Sequence, residues 1–214
     1  CDPLLMNAYV VTIDQRGSRR DVDRVDELLR HLSRNTTPLR AFERTAGDEV
    51  QGVFDAASDV AAAALGIAET FPGGWSIGIG IGPTERPLPR QTRAGRGPAF
   101  EFARDAVTRA KSARHGLAVA GSNTAACRDA QTALTLVIGL LTGRSTTGQD
   151  AVAAMRTGIT QAAAAAALGI TPQAMSQRLR NAGWDIEDDA RLLAAHTLAA
   201  AAHSTDDASE GSPR

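Results

Sequence analysis

Aromatic residues make up only 4% of this 214-residue chain, with two Trp, one Tyr and five Phe. A core built on stacked rings is excluded, so Ala, Val, Leu and Ile must fill the interior. Cysteine is nearly absent. Cys1 and Cys127 stand far apart, without metal-ligand spacing. That rules out a disulfide framework and makes a reducing cytoplasm the expected compartment. Long hydrophobic runs are missing too. The best, residues 133–141, is far shorter than the ~18 residues of a membrane span, so no membrane partner is expected. Charge of one sign is also lacking, because the formal net charge is -1. Any surface for nucleic acid must therefore be local.

What is present is an ordinary hydrophobic fraction of 43%. The length admits one large domain or two small ones. The alanine excess favours helix. Met6 reads as close to a natural start, with residues 1–5 as upstream sequence or a cloning remnant. Residues 8–13 read as a buried strand and 21–34 as a helix, with apolar positions at Val22, Val25, Leu28, Leu29 and Leu32. Residues 39–45 and 49–54 read as a hairpin around Ala46-Gly47-Asp48. An amphipathic helix follows at 55–70. Residues 75–81 alternate Ile with Gly or Ser, a strand whose glycine face must meet a close neighbour. A long loop at 82–97 leads to a helix at 98–115 and a short strand at 116–120.

This order, β-α-β-β-α-β-α-β, predicts an α+β fold. It is a ferredoxin-like antiparallel sheet with helices on one face, followed by an all-α part. The expected segments are a sheet domain at 6–121, a connecting and dimerisation helix with linker at 122–148, and a helical domain at 149–203. A disordered polar tail would occupy 204–214. No internal repeat is evident.

Within the helical part, Thr160 is a predicted N-cap and Gly169 supplies a turn. Ile170 plugs the corner. Thr171 caps a second helix whose first position is Pro172. Met175 and Leu179 lie four apart and face inward. Gln173, Ser176, Gln177 and Arg180 then point outward, offering amides and a hydroxyl to base edges and an arginine to phosphate. The expected DNA contacts are Thr160, Thr171, Gln173, Ser176, Gln177, Arg178 and Arg180. Over residues 144–180, four arginines against Asp150 give a local charge of 4 - 1 = +3. The segment resembles the helix-turn-helix of many bacterial regulators, which read double-stranded DNA. Acidic residues at Asp185, Glu187, Asp188 and Asp189 should face away from DNA and cap the last helix.

Asp14 and Asp48 sit where strand ends meet loops, on strands expected to be neighbours. Two carboxylates there suit Mg²⁺, and the loop at 15–19 can offer backbone N–H groups to phosphates. Each also reads as a plain turn residue. The run Val10-Val11-Thr12-Ile13-Asp14-Gln15-Arg16-Gly17-Ser18 resembles the first metal motif of class III nucleotidyl cyclases. Gly47-Asp48-Glu49-Val50-Gln51 is similar to their second. The same blocks look like the SatD family, whose members often join such a domain to a helix-turn-helix. The resemblance covers roughly residues 8–185.

It implies Mg²⁺ at Asp14 and Asp48, and a purine nucleotide (ATP, GTP or a signalling derivative) near Gln15, Arg16, Gly17, Ser18, Arg19, Arg44 and Gly47. The same likeness exposes departures. Arg44 stands at the purine-selecting lysine position. Glu101 and Asp105 stand where the transition-state Asn and Arg belong. Acidic groups there oppose the charge developing in cyclisation. The reading is a DNA-binding homodimer with a degenerate, nucleotide-sensing domain. The alternative is an active metal-dependent cyclase or phosphohydrolase with a DNA-binding tail. A third is a scaffold that binds neither metal nor nucleotide.

Overall fold

The computed structural model describes residues 5–18 and 22–203. Arg19, Arg20 and the tail at 204–214 lie outside the described residues. Five strands form one sheet in the order β2-β3-β1-β4-β5. Central β1 (Leu5–Gln15) runs antiparallel to β3 (Glu49–Phe54) and to β4 (Trp75–Glu85). β2 (Arg40–Ala46) extends the sheet beyond β3. β5 (Leu117–Gly121) adds in parallel beside β4. The sheet is therefore mixed, not antiparallel throughout as expected. A helix, α3 (Pro98–Ala110), carries the chain back from β4, so β5 enters in the same direction.

Helices also cover both faces, not one. β4 explains why. Its isoleucines Ile77, Ile79 and Ile81 are buried on one face, together with Val11 and Ile13 of β1. On that side lie α1 (Val25–Asn35), α2 (Ala57–Thr70) and α4 (Thr124–Thr142). The opposite face carries Gly78 and Gly80. A Cβ there would overlap the backbone of α3 at Val107, Ala103 and Ala99. Alanines at 99, 103, 106 and 110 line the meeting face of α3. Small residues on both partners let the helix lie almost on the strand. The close neighbour that the alternating glycines demand is α3.

The last helix, α8 (Glu187–His203), returns to this core. Ala194, Leu198, Ala201 and Ala202 are buried among the residues of β1, β4, α2 and α4. Asn7 donates to the Ala202 carbonyl at 2.8 Å, and the Tyr9 hydroxyl to that of Leu198 at 3.4 Å. The boundary expected at 149–203 therefore moves. The body takes residues 5–142 together with α8, and the helical unit keeps roughly 145–184. α4 changes role for the same reason. Its apolar side is buried against α8 and α2, at Ala130, Leu134, Val137, Ile138 and Leu141. The surface expected for dimerisation is used inside the chain. No helix among the described residues is long and apolar enough to cross a membrane.

Candidate nucleic-acid interface

The helical unit is built from three capped helices: α5 (Thr146–Arg156), α6 (Gln161–Ala167) and α7 (Pro172–Asn181). Ser145, Thr160 and Thr171 each accept a hydrogen bond from the backbone N–H three residues on. Each satisfies one of the donors a helix start leaves unpaired. α6 ends as the turn requires. Gly169 adopts φ +64°, its N–H bonds the Ala166 carbonyl, and Ile170 N–H bonds that of Ala165. This closing motif uses the left-handed conformation that glycine adopts freely. Gly183 and Trp184 close α7 in the same way, on the carbonyls of Arg180 and Leu179. Gly158 also takes a positive φ after α5, with its N–H on the Met155 carbonyl, but Ile159 is exposed where Ile170 packs against the core.

The unit has its own core of Ala151, Val152, Ala164, Ala165, Met175, Leu179 and Ala182, flanked by Ile170 and Trp184. Met175 and Leu179 face inward, as their spacing requires. Gln173, Gln177, Arg180 and Asn181 are exposed on the outer face of α7. Gln177 donates to the Asn181 side chain at 2.7 Å and accepts from Arg180 at 2.8 Å. Gln173, nearest the N-terminus of α7, has no such partner among the described residues. Ser176 is half-buried. Its hydroxyl donates to the Pro172 carbonyl and accepts from Gln161 at 2.6 Å, tying α6 to α7. Arg178 is half-buried, and Thr160 and Thr171 are exposed caps. Asn181 is the member sequence reading missed, although its place four residues beyond Gln177 marks the same face.

The local charge of +3 does not all reach this surface. Arg144 is buried, with its guanidinium on Glu187, on the Ala182 carbonyl and near Glu69. Arg156 bridges the same two carboxylates at 2.7 and 2.8 Å. Arg191 completes the cluster from α8. Half the arginines counted as basic surface therefore bolt the helical unit to α2 and α8. Of the other two, Arg178 is half-buried and Arg180 exposed. Burial alone would raise the Glu187 carboxyl. The hydrogen bonds and charges of Arg144 and Arg191 outweigh it and hold the group below its ordinary value. Glu187, Asp188 and Asp189 do lie in the first turn of α8, where the helix dipole favours them.

The sheet body brings some of the remaining predicted residues together. Asp14 lies opposite Glu49 across β1 and β3, and Asp48 is the next residue in the hairpin. The Asp14 carboxylate is held by Lys111 at 2.9 Å. Arg16 reaches the end of α3, donating to the Lys111 carbonyl at 2.8 Å, to that of Ala110, and to Ser76. A guanidinium there satisfies carbonyls left open at a helix C-terminus. Gln15 points to the other face, where its amide pins Val22 and Arg24. Arg44 bonds the Gly47 carbonyl and the Asp23 carboxylate, which the Val25 N–H and then Arg44 hold below the ordinary range. Gly17 and Gly47 take positive φ in their turns, and Ser18 is half-exposed. These residues brace loops and helix ends. Among the described residues no group of three or more His, Cys, Asp or Glu can hold a metal ion. With Lys111 on Asp14, the donor set does not fit a resident Mg²⁺. On α3, Asp105 pairs with Arg109 at 3.1 Å and Glu101 is exposed.

No family model and no curated protein matches this chain. One solved structure is similar, that of a regulator of polyketide synthase expression from Bifidobacterium adolescentis. It is 13% identical, and the match covers 95% of this chain and 82% of that one with a TM-score of 0.28. A likeness this low carries no argument about what the chain does.

Proposed function

We propose that this chain is a transcription regulator that binds double-stranded DNA through α6 and α7. The observation that carries the reading is the outer face of α7. Gln173, Gln177, Arg180 and Asn181 stand exposed on one side of a helix whose other side is locked by Met175 and Leu179. Amides at that spacing suit the donor and acceptor pairs of base edges in a major groove. Arg178 and Arg180 suit the phosphates on either side. The exposed alanines 162, 163, 166 and 167 on α6 let a duplex backbone approach closely.

In this reading the sheet body is the sensor, and it is cyclase-like and SatD-like only by resemblance. A small ligand, of which a purine nucleotide is the expected kind, alters DNA affinity without being turned over. The acidic Glu101 and the Arg109-paired Asp105 support a site without cyclisation chemistry. The protein acts in the cytoplasm as a homodimer on a two-fold operator, through a surface other than the buried side of α4.

The test is selection of binding sequences from a random duplex pool, followed by titration of the enriched site. Wild-type protein enriches one sequence, and the complex weakens steeply with salt as counterions are released. A pool that stays random after repeated rounds sinks the reading.

A further inference from the structure

The geometry points to a second site: a groove between α3, β5 and the start of α4 that takes a small molecule bearing a carboxylate or phosphate and a flat apolar body. The groove encloses about 390 Å³, within the range of ligand pockets. Phe102, Ala120 and the buried thiol of Cys127 line its apolar part. The polar part is dominated by donors. Asp105 is the carboxylate there, and Arg109 neutralises it at 3.1 Å. Arg109 also donates to the Val119 carbonyl at 2.8 Å. Gln131 accepts from the Val119 N–H at 3.0 Å, which leaves its NH₂ group available. Those two contacts close the polar groups of an edge strand that would otherwise invite another strand. Arg128 is different. It is exposed, lines the groove and, among the described residues, holds no carboxylate. An uncompensated guanidinium beside an amide and the Thr124 hydroxyl is a receptor for an anion.

The site connects to the rest of the molecule through one element. α4 runs 19 residues from Thr124 at the groove to Thr142, a span of about 28 Å. Two residues later comes Arg144, the buried member of the cluster that fixes the helical unit. A ligand that shifts the start of α4 therefore acts on the segment that orients α6 and α7. This effector role rests on the regulatory reading, whereas the binding itself does not.

The test is backbone-amide NMR of the full chain with two probes at millimolar concentration. Adenosine 5′-monophosphate represents a phosphate and salicylate a carboxylate. At least one probe should shift amides of 102–109 and 119–131, and the better probe names the anion. Arg128→Glu should weaken that binding about tenfold or more. Thr124→Trp, which crowds the mouth from an exposed position, should do the same. The amide spectra of both variants report that they are folded. No shift at the groove with either probe overturns the proposal. So do shifts confined to 14–18 and 44–48, or groove shifts that survive both substitutions. DNA selection on the ligand-free protein decides the regulatory reading separately.

Discussion

The sheet body and the helical unit solve the same problem with opposite means. The body buries long side chains: Ile13, Leu28, Leu32, Phe54, Ile79 and Leu134 are among its largest fully buried residues. The helical unit buries mostly alanine, with Met175 and Leu179 as its few large residues. It relies on caps, each worth about 1 kcal/mol, and on glycine closures. Its attachment differs as well. Two arginines, Arg144 and Arg156, join it to two carboxylates of the body, beside Leu140 lying on Gly183. A thin core on a polar mount suits a part that must present one exposed face. A deep apolar core suits the frame that holds it.

The largest effects should come from the frame. Ile79→Ala removes a fully buried side chain from the centre of the sheet and should cost about 4 kcal/mol. Thermal denaturation should show a fall in Tm of roughly 10 °C, with body and helical unit melting together. Separate melting of the two would break the contrast.

Glu187→Ala should come next, at about 3 kcal/mol, because it leaves the buried Arg144 guanidinium with only the Ala182 carbonyl and the more distant Glu69. Its signature is local: amide exchange should rise in α5 to α7 and stay low in β1 and β4. Uniform exchange across the chain would refute a polar mount.

The same group sets a pH dependence. Its carboxyl is held low in the fold, so its contribution is complete above the ordinary glutamate value of about 4.3. That contribution disappears as pH falls through the lower folded value. Acid titration below about pH 4 should loosen the helical unit before the sheet. Glu187→Gln should remove that step. Persistence of the step would assign it to other carboxylates.

Thr171→Ala should cost about 1 kcal/mol by removing the α7 cap. Denaturant unfolding would reveal it as a small shift in midpoint.

Much of this was legible from sequence where the signal is local. The strict alternation of β4, the caps Thr160 and Thr171, the Gly169 turn and the inward pair Met175 and Leu179 each follow from neighbours within a few residues. What escaped depends on distant partners. Nothing near Glu69 or Glu187 announces that they meet Arg144 and Arg156, so charge counting overstated the basic surface. The return of α8 to the sheet core was hidden because its alanines fit either unit equally well. The contacts of Asp14 and Arg16 with the end of α3, about a hundred positions away in sequence, could not be placed by spacing.

The central claim is that the outer face of α7 reads DNA. The most direct measurement is fluorescence anisotropy on the selected duplex, comparing wild type with Gln173→Ala/Gln177→Ala. Both side chains are exposed, so Tm should hold. Each base contact is worth about 1–3 kcal/mol. The double variant should therefore lose at least tenfold in specific affinity, while weak binding to random duplex remains. Undiminished affinity for the selected site, in a protein with unchanged Tm, would contradict the account.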